Sequence, residues 1–101
     1  MGYKLITLET AQREYGSILY YLAEVLKSPH AAAAFHHEFT EKLRTIVETP
    51  EAMPLSHNEK LATKGYRTLR VKRYIALYRI DGNVVVLEHI FHQTQSYARY
   101  V

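Results

Sequence analysis

The sequence contains no cysteine. This absence excludes disulfides, catalysis by a thiolate and metal sites built on cysteine, and it fits the reducing cytoplasm. Long apolar runs are also missing: 48% of the residues are hydrophobic, yet no run approaches the roughly 20 residues that span a bilayer. The chain turns polar at Thr7, so its start lacks the apolar core of a signal peptide. We therefore expect a cytoplasmic globular protein.

The 101 residues have the length of one domain, and we expect residues 1–101 to share a single core. The net charge is +3, but residues 1–51 carry five Lys or Arg against seven Glu, whereas residues 52–101 carry eight against three acids. No acid interrupts a group of seven basic residues: Lys60, Lys64, Arg67, Arg70, Lys72, Arg73 and Arg79. Such a patch favours a polyanionic partner, either nucleic acid or an acidic protein segment, although a basic face that serves solubility stays open.

Two segments before Pro50 have the spacing of amphipathic helices. In the first, residues 10–26, apolar side chains recur every three or four positions. The second begins clearly, because Ser28 is a good N-cap residue and Pro29 suits the first helical position. It must end just before Pro50, which disfavours helix at the preceding residue. The short connection predicts an antiparallel helix hairpin, and residues 3–7 are typical of a short strand.

Residues 66–92 contain three runs of β-branched and aromatic residues, separated by turn signals at residues 72–73 and 81–83. The second signal is strong, because glycine and asparagine tolerate the positive φ of tight turns. With residues 72–73 as the first turn, Val71 pairs with Tyr74, and the pairing continues outward along both strands. The sequence therefore predicts a three-stranded antiparallel meander.

Because paired residues share a face, this register sorts the side chains into two sets. The apolar set is expected to pack on the helices, with Arg67 and His89 as its polar exceptions, and it contains Leu69, Val71, Tyr74, Ala76, Tyr78, Val85, Leu87 and Phe91. The other set is expected to be partly open to a partner and contains Tyr66, Thr68, Arg70, Ile75, Leu77, Arg79, Val84, Val86, Glu88, Ile90 and His92.

The remaining segments complete an α+β prediction. Residues 50–65 contain two prolines and no convincing period, so we expect a surface loop. The C-terminal residues are expected to form a short tail or helix. The predicted fold is an N-terminal strand and an antiparallel helix hairpin packed on a mainly antiparallel sheet.

This order of elements resembles the RelE/ParE superfamily of type II toxins over nearly the whole chain. The segments that carry the resemblance are Ser28-Pro29-His30-Ala31-Ala32, Gly65-Tyr66-Arg67, Tyr74 to Asp81, and His92 leading to Tyr97. The resemblance implies a toxin that a cognate antitoxin neutralises, as in plasmid stabilisation systems. Two mechanisms occur in the superfamily: ParE-like toxins poison DNA gyrase, and RelE-like toxins cleave messenger RNA in the ribosomal A site without a metal.

A RelE-like nuclease needs a group that activates the 2′-hydroxyl, cations for the phosphate and a proton donor for the leaving oxygen. By position, His92 matches the C-terminal His of that branch, and Tyr97 or Tyr100 falls near its terminal Tyr. Arg70 and Arg79 lie on the predicted open face and would hold phosphate. With a carboxylate that would orient His92 or act as a base, the candidate catalytic residues are His92, Arg79, Arg70, Tyr100, Tyr97 and Glu88.

Several positions depart from the nuclease pattern. Ile75 stands where RelE-like nucleases usually have an Arg, Thr94 stands at a second basic position, and Tyr66 and Thr68 replace lysines. These departures favour ParE-like inhibition of gyrase, with the nuclease as the alternative and a degenerate, non-toxic binding module as a third possibility. The expected contacts to nucleic acid or a protein partner are Lys60, Lys64, Tyr66, Arg67, Arg70, Lys72 and Arg73.

No cofactor is expected, and neither pair of neighbouring histidines suits a metal. His89 and His92 point to opposite faces of a strand, and His36 and His37 are about 100° apart on a helix.

Overall fold

The computed structural model describes residues 2–95. Its elements in chain order are β1 (Lys4–Thr7), α1 (Glu9–Tyr20), a π-helical turn (Tyr21–Val25), α2 (Pro29–Glu48), a 3₁₀ turn (Pro50–Ala52), α3 (Glu59–Thr63), β2 (Arg67–Val71), β3 (Tyr74–Asp81) and β4 (Val84–His92). The helix hairpin packs on one face of the sheet, so the predicted α+β class is confirmed. None of the helices in residues 2–95 is long and apolar enough to cross a membrane.

The helix hairpin begins and ends where the sequence predicts. The Ser28 hydroxyl accepts the N–H of Ala31 (3.1 Å), and Pro29 occupies the first position of α2. The end of the first helix differs from a regular α-helix, because the N–H of Leu26 donates to the carbonyl of Tyr21 (2.9 Å), five residues earlier. The tip of the hairpin is therefore wound as a π-helical turn.

The sheet has the order β1-β4-β3-β2, with β1 parallel to β4 and the other pairs antiparallel. The predicted pairing of Val71 with Tyr74 is confirmed and continues to Arg67 with Tyr78. Gly82, with a φ of 62°, supplies the left-handed conformation that the second tight turn requires. The turn chemistry therefore fixes the register of the meander.

A β-bulge interrupts β4 and changes its faces. Leu77 pairs with His89, whereas Tyr78 pairs with Leu87, so no residue of β3 pairs with Glu88 in the strand register. One extra residue in a strand reverses the face of every residue beyond it. The predicted parity therefore holds before the bulge and fails after it.

Four predicted faces are wrong for this reason, namely those of His89, Ile90, Phe91 and His92. Ile90 pairs with Ala76 in the core beneath the helices, and His92 pairs with Tyr74, whose ring packs against Phe35 of α2. Phe91 lies on the opposite face of the sheet, and His89 pairs with Leu77 on that same face and stacks on Phe91. We call the face toward α1 and α2 the inner face, and the opposite face the outer face.

The inner face carries the main core, where Tyr78 is fully buried and donates a hydrogen bond to the carbonyl of Pro50 (2.6 Å). The buried members of this core are Ala11, Ile18, Phe35, Phe39, Ile46, Leu69, Val71, Ala76, Tyr78, Val85, Leu87 and Ile90.

The outer face has a second layer, so the prediction of a plain surface loop at residues 50–65 is wrong. The Asn58 side chain caps α3 by accepting the N–H of Leu61 (3.1 Å), and Gly65, with a φ of 86°, follows the helix. The fully buried Leu61 then forms a small core with Tyr66, Ile75, Leu77 and Phe91. This part of the sheet is closed rather than open.

Candidate functional site

Three predicted site residues meet on the outer face beside the bulge. The Tyr66 hydroxyl donates to Oε1 of Glu88 (2.7 Å), and Nε of Arg79 donates to Oε2 of the same carboxylate. Nη1 of Arg79 also lies 3.8 Å from Oδ2 of Asp81. The bulge directs Glu88 into this cluster, where only 9% of the residue is exposed. Both carboxylate oxygens are therefore occupied from within the protein.

The electrostatics of this cluster favour a fixed set of protonation states. Burial, followed by the hydrogen bond to Glu88, raises the pKa of Tyr66 to about 12. The hydrogen bond to Glu88 also raises the pKa of Arg79. At neutral pH Tyr66 is protonated and Arg79 is a cation whose charge Glu88 compensates. Such a cluster braces the sheet, and it offers neither an unengaged base nor an unpaired cation.

Ile75 lies close to this cluster in the fold. It is on the outer face, 9% exposed, and it packs in the core that Leu61 completes. The position at which a nuclease would present an arginine is thus an apolar contact under α3.

His92 is separated from Arg70, Arg79 and Glu88 by the sheet, so the prediction that these four residues share a face is wrong. Its ring stands edge-on to Tyr74, with centroids 5.4 Å apart. The N–H of Thr94 donates to Nδ1 of His92 (3.2 Å), and Oγ1 of Thr94 lies 2.8 Å from that nitrogen. A nitrogen that accepts a backbone N–H carries no proton, so the geometry assigns the proton of the neutral ring to Nε2.

The other predicted contact residues lie apart from one another. Nη1 of Arg67 donates to the carbonyl of Met53 (2.5 Å), which turns this side chain toward the 3₁₀ turn. Arg70 is exposed and donates to the amide oxygen of Gln93 (2.6 Å). Lys60 and Lys64 are exposed at α3. Tyr97 and Tyr100 lie outside the described residues.

The β2–β3 turn carries the remaining two predicted cations. Nζ of Lys72 lies 3.4 Å from a carboxylate oxygen of Glu38, which also pairs with Lys42 (3.1 Å). The hydrogen bond from Lys42, with a smaller one from Lys72, lowers the pKa of Glu38. The side chain of Arg73 is exposed and has no hydrogen bond or ion pair within residues 2–95. Among the described residues 2–95, Arg73 is therefore the cation of this turn that no acid compensates.

His89 has the structural role that a partly buried histidine usually has. Its Nδ1 lies 3.4 Å from a carboxylate oxygen of Glu14, and its ring stacks on Phe91. The other oxygen of Glu14 accepts the N–H of Ile90 (2.8 Å). The Glu14 carboxylate thus accepts a backbone N–H of β4 at a position beyond the end of β1. Within residues 2–95, no group of three or more His, Asp or Glu residues is placed to hold a metal ion.

The sequence reasoning missed an apolar groove between the helix hairpin and the β2–β3 turn, which we call the hairpin groove. It has a volume of about 770 Å³ and is lined by Ser17, Ile18, Tyr21, Leu22, Leu26, Ala31, Ala34, Phe35, Lys72, Arg73, Tyr74 and His92. Several apolar side chains at the hairpin tip are also exposed, namely Tyr20, Tyr21, Val25 and Leu26. The apolar stripe of the predicted helix at residues 10–26 was a usable signal for this groove, because the stripe extends beyond the part of the helix that the sheet covers.

Comparisons with known proteins agree with this architecture. A model of the family described as "ParE toxin of type II toxin-antitoxin system, parDE" matches residues 5–97. No curated protein matches the sequence. The fold is similar to that of a chain from the chromosomal ParDE toxin–antitoxin system of P. aeruginosa, with a TM-score of 0.71 and 18% identity over 89% of this chain and 95% of the other.

Two further solved structures share the fold at identities too low to show more than that. A chain of the RelBE2 toxin–antitoxin complex of Mycobacterium tuberculosis has a TM-score of 0.61 and 23% identity, covering 91% of this chain and 99% of its own. A mutant of the E. coli toxin RelE in the free state has a TM-score of 0.65 and 18% identity, covering 99% and 93%. Since the family model spans nearly all of the sequence, the chain belongs to the ParE toxin family of type II toxin–antitoxin systems.

Proposed function

We propose that the chain acts by binding a protein, that its target is DNA gyrase, and that the bound antitoxin blocks this action. The observation that carries the proposal is the closed outer face. There Ile75 is buried under Leu61, and Arg79 is hydrogen-bonded to Glu88. The surface that would serve RNA cleavage is therefore filled by an apolar contact and an internally compensated ion pair.

Metal-independent RNA cleavage requires cations that are free to meet the crowded phosphate. Each phosphate contact made by Arg79 would compete with its hydrogen bond to a nearly buried carboxylate. Breaking that bond would leave the Glu88 carboxylate with only the Tyr66 hydroxyl as a partner, which is unfavourable in a nearly buried site. His92 is on the other side of the sheet, so it cannot act on the same phosphate. Binding to a protein requires neither a free cation at Arg79 nor a histidine on the same face.

A pair of parallel assays tests the proposal. The purified chain is added to DNA gyrase during plasmid supercoiling, and separately to translating ribosomes whose messenger RNA is analysed by primer extension. We expect loss of supercoiling or accumulation of linear plasmid, with intact messages. Cleaved messages together with unaffected gyrase would contradict the proposal.

The alternative function is a RelE-like, ribosome-dependent nuclease, and the exposed basic residues favour it. Lys60 and Lys64 on the outer side and Arg73 at the turn are available to bind RNA. Under this alternative, Arg79→Ala abolishes message cleavage and toxicity. Under the protein-binding proposal, a folded Arg79→Ala variant stays toxic, so growth arrest after induction of that variant separates the two.

A further inference from the structure

The first strand forms one edge of the sheet, because the strand order is β1-β4-β3-β2. The N–H of Lys4 donates to the carbonyl of Asn83 (3.0 Å), so the backbone groups of this residue point toward β4. Backbone groups alternate in direction along a strand, and the N–H and C=O of Leu5 and Thr7 therefore point away from the sheet. An edge of this kind is able to pair with another strand.

Two contacts close the ends of this edge. The N–H of Tyr3 donates to the carbonyl of Val47 near the end of α2 (2.8 Å), and the side-chain amide of Gln12 donates to the carbonyl of Thr7 (2.9 Å). Between them, the N–H and C=O of Leu5 and the N–H of Thr7 have no hydrogen bond within residues 2–95. The open stretch is therefore short and contains two unpaired donors and an unpaired acceptor.

The side chains of this stretch are apolar and exposed. Ile6 is 49% exposed, and Leu5 and Leu8 are each 38% exposed. Leu5 lies opposite Val85 of the inner core, so Ile6 lies on the outer face of the sheet. Exposed apolar side chains beside unpaired backbone groups are characteristic of a strand that pairs with another chain.

A second copy of β1 that runs antiparallel satisfies all of these backbone groups. When Leu5 lies opposite Thr7 of the partner subunit, each N–H donates to the carbonyl of the opposite residue, and the twofold axis gives about four hydrogen bonds. The carbonyl of Thr7 has two lone pairs, so it accepts this bond in addition to that from Gln12. A register with Leu5 opposite itself would place Thr7 opposite Tyr3, whose N–H is already used.

The same register matches the side chains of the two copies. Ile6 lies opposite the partner's Ile6 on the outer face, as a non-hydrogen-bonded pair whose side chains are close. Lys4 lies opposite the partner's Leu8, which precedes Glu9 at the start of α1. Both charged side chains are exposed. Opposite charges at the two ends of β1 complement each other in an antiparallel pair of identical strands, which favours a second copy as the occupant.

We propose that β1 is a homodimer interface, at which two copies of the chain pair their first strands antiparallel and form one continuous sheet. No residue of β1 lines the hairpin groove, so this pairing does not use the groove. Interfaces below about 1,200 Å² are typical of weak complexes, and a short strand pair is expected to give a reversible dimer. The inference concerns self-association and does not depend on the proposed gyrase target.

Sedimentation velocity of the purified chain over a concentration series tests the pairing. We expect a monomer at about 1 µM and a dimer at about 100 µM. Amide hydrogen exchange of Leu5 and Thr7 should slow over the same interval, while the amide of Lys4, which is bonded to Asn83, should not change. A monomer at every concentration would overturn the proposal, and so would a dimer without slower exchange at Leu5 and Thr7.

Two lysine substitutions at exposed apolar positions locate the contact. Ile6→Lys places like charges opposite each other at the twofold axis, whereas Val25→Lys makes a similar change at the hairpin tip, where Val25 is 55% exposed. We expect Ile6→Lys to raise the dissociation constant of the dimer about tenfold or more and Val25→Lys to change it less than about twofold. Dissociation by Val25→Lys alone would show that the copies meet at the hairpin tip and would overturn the proposal.

Two replacements of Thr7 test the backbone hydrogen bonds. Proline removes the outward N–H and is tolerated on the solvent side of an edge strand, whereas valine keeps the N–H and nearly the same shape. We expect Thr7→Pro to weaken the dimer about tenfold or more and Thr7→Val to change it less than about twofold. Equal dissociation constants would overturn the strand pairing. Ile6→Lys decides the proposal if Thr7→Pro affects folding.

A charge exchange tests the register. Lys4→Glu brings two acids together at each end of the paired strands, and we expect it to weaken the dimer about threefold at low ionic strength. The double variant Lys4→Glu with Glu9→Lys restores opposite charges and should return the dissociation constant to within about twofold of the unaltered chain. A double variant as weak as Lys4→Glu alone would overturn the antiparallel register.

A strand of another protein is the competing occupant of this edge. The probe is the purified product of the gene adjacent to the one that encodes this chain. If the free chain stays monomeric and this product slows amide exchange at Leu5 and Thr7, the edge binds the antitoxin and the inference is wrong. If a monomer shows slow exchange at these two residues at every concentration, the edge is covered within the chain and the inference is again wrong.

Discussion

The inner and outer faces of the sheet are built on the same strands, yet the layers that cover them differ in size and chemistry. The inner face is covered by α1 and the 20-residue α2, which bury a continuous apolar core. The outer face is covered by the five-residue α3, which contributes one buried leucine, beside an ionised cluster. The comparison indicates that the inner layer supplies most of the stability, while the outer layer fills a surface on which a nuclease would need free cations.

The comparison is tested most strongly by truncating the inner core. Phe39→Ala removes a ring that is 4% exposed and lies 4.9 Å from the ring centroid of Tyr15. We expect a loss of about 3 to 5 kcal/mol in the free energy of unfolding, measured by urea denaturation. His37→Ala, an exposed position on the same helix, is the control. A loss below about 1 kcal/mol for Phe39→Ala would mean that the inner core is not the main source of stability.

The same comparison shows which features the sequence could predict. The helix start at Ser28, the pairing of Val71 with Tyr74 and the burial of Tyr78 follow from capping, turn chemistry and alternation. These signals are local, so they do not depend on other elements. By contrast, the lack of an ion pair at Arg73 within residues 2–95 could not be predicted locally, because it depends on where the fold places the acids of α2.

The bulge at Glu88 was not predictable from its own strand. Val84 to His92 is a run of good strand formers on either side of that residue, and nothing in it marks an extra position. The buried carboxylate is explained by Tyr66, which precedes β2, and by Arg79 on β3, and both lie outside β4. Because the bulge reverses the face of the residues that follow it, His92 was also predicted on the wrong face of the sheet. By contrast, Asn58 as an N-cap residue followed by Glu59 in the first turn was a usable signal for α3.

On the outer face, truncation of the buried leucine of α3 should have the next largest effect. Leu61→Ala removes the fully buried side chain that attaches α3 to the sheet. We expect a loss of about 2 to 3 kcal/mol, smaller than for Phe39→Ala because a short surface layer relaxes around the gap more easily. Amide hydrogen exchange should increase in α3 and remain slow in α2. Equal acceleration in both helices would show that the two layers unfold as one unit.

The ionised cluster gives a smaller effect with a distinct pH dependence. Tyr66→Phe removes the donor to Oε1 of Glu88 while Arg79 keeps its bond to Oε2. We expect a loss of about 2 kcal/mol at pH 7, measured by urea denaturation, because a buried carboxylate loses one hydrogen bond. Thr63→Ala, an exposed position on α3, serves as the control.

Alkaline titration tests the same hydroxyl in the unaltered chain. The pKa of Tyr66 is about 12 in the folded chain and near 10 in the unfolded chain, so the folded state holds the proton more tightly between these values. Its contribution is complete below pH 10 and is lost as the pH rises toward 12. Tyr66→Phe should therefore lose less stability than the unaltered chain over this interval. Parallel curves for the two proteins would contradict the assigned pKa.

The smallest expected effects come from the helix caps, and they compare the two layers most directly. Ser28→Ala removes the acceptor for the N–H of Ala31 at the start of α2, and Asn58→Ala removes the acceptor for the N–H of Leu61 at the start of α3. Each should cost about 1 kcal/mol locally. Because α2 covers the main core, the Ser28→Ala loss should appear in full in urea denaturation. The Asn58→Ala loss should appear mainly as faster hydrogen exchange in α3, since that helix can open while the inner core stays folded. Equal shifts of the urea midpoint for both variants would show that α3 is as strongly coupled to the core as α2.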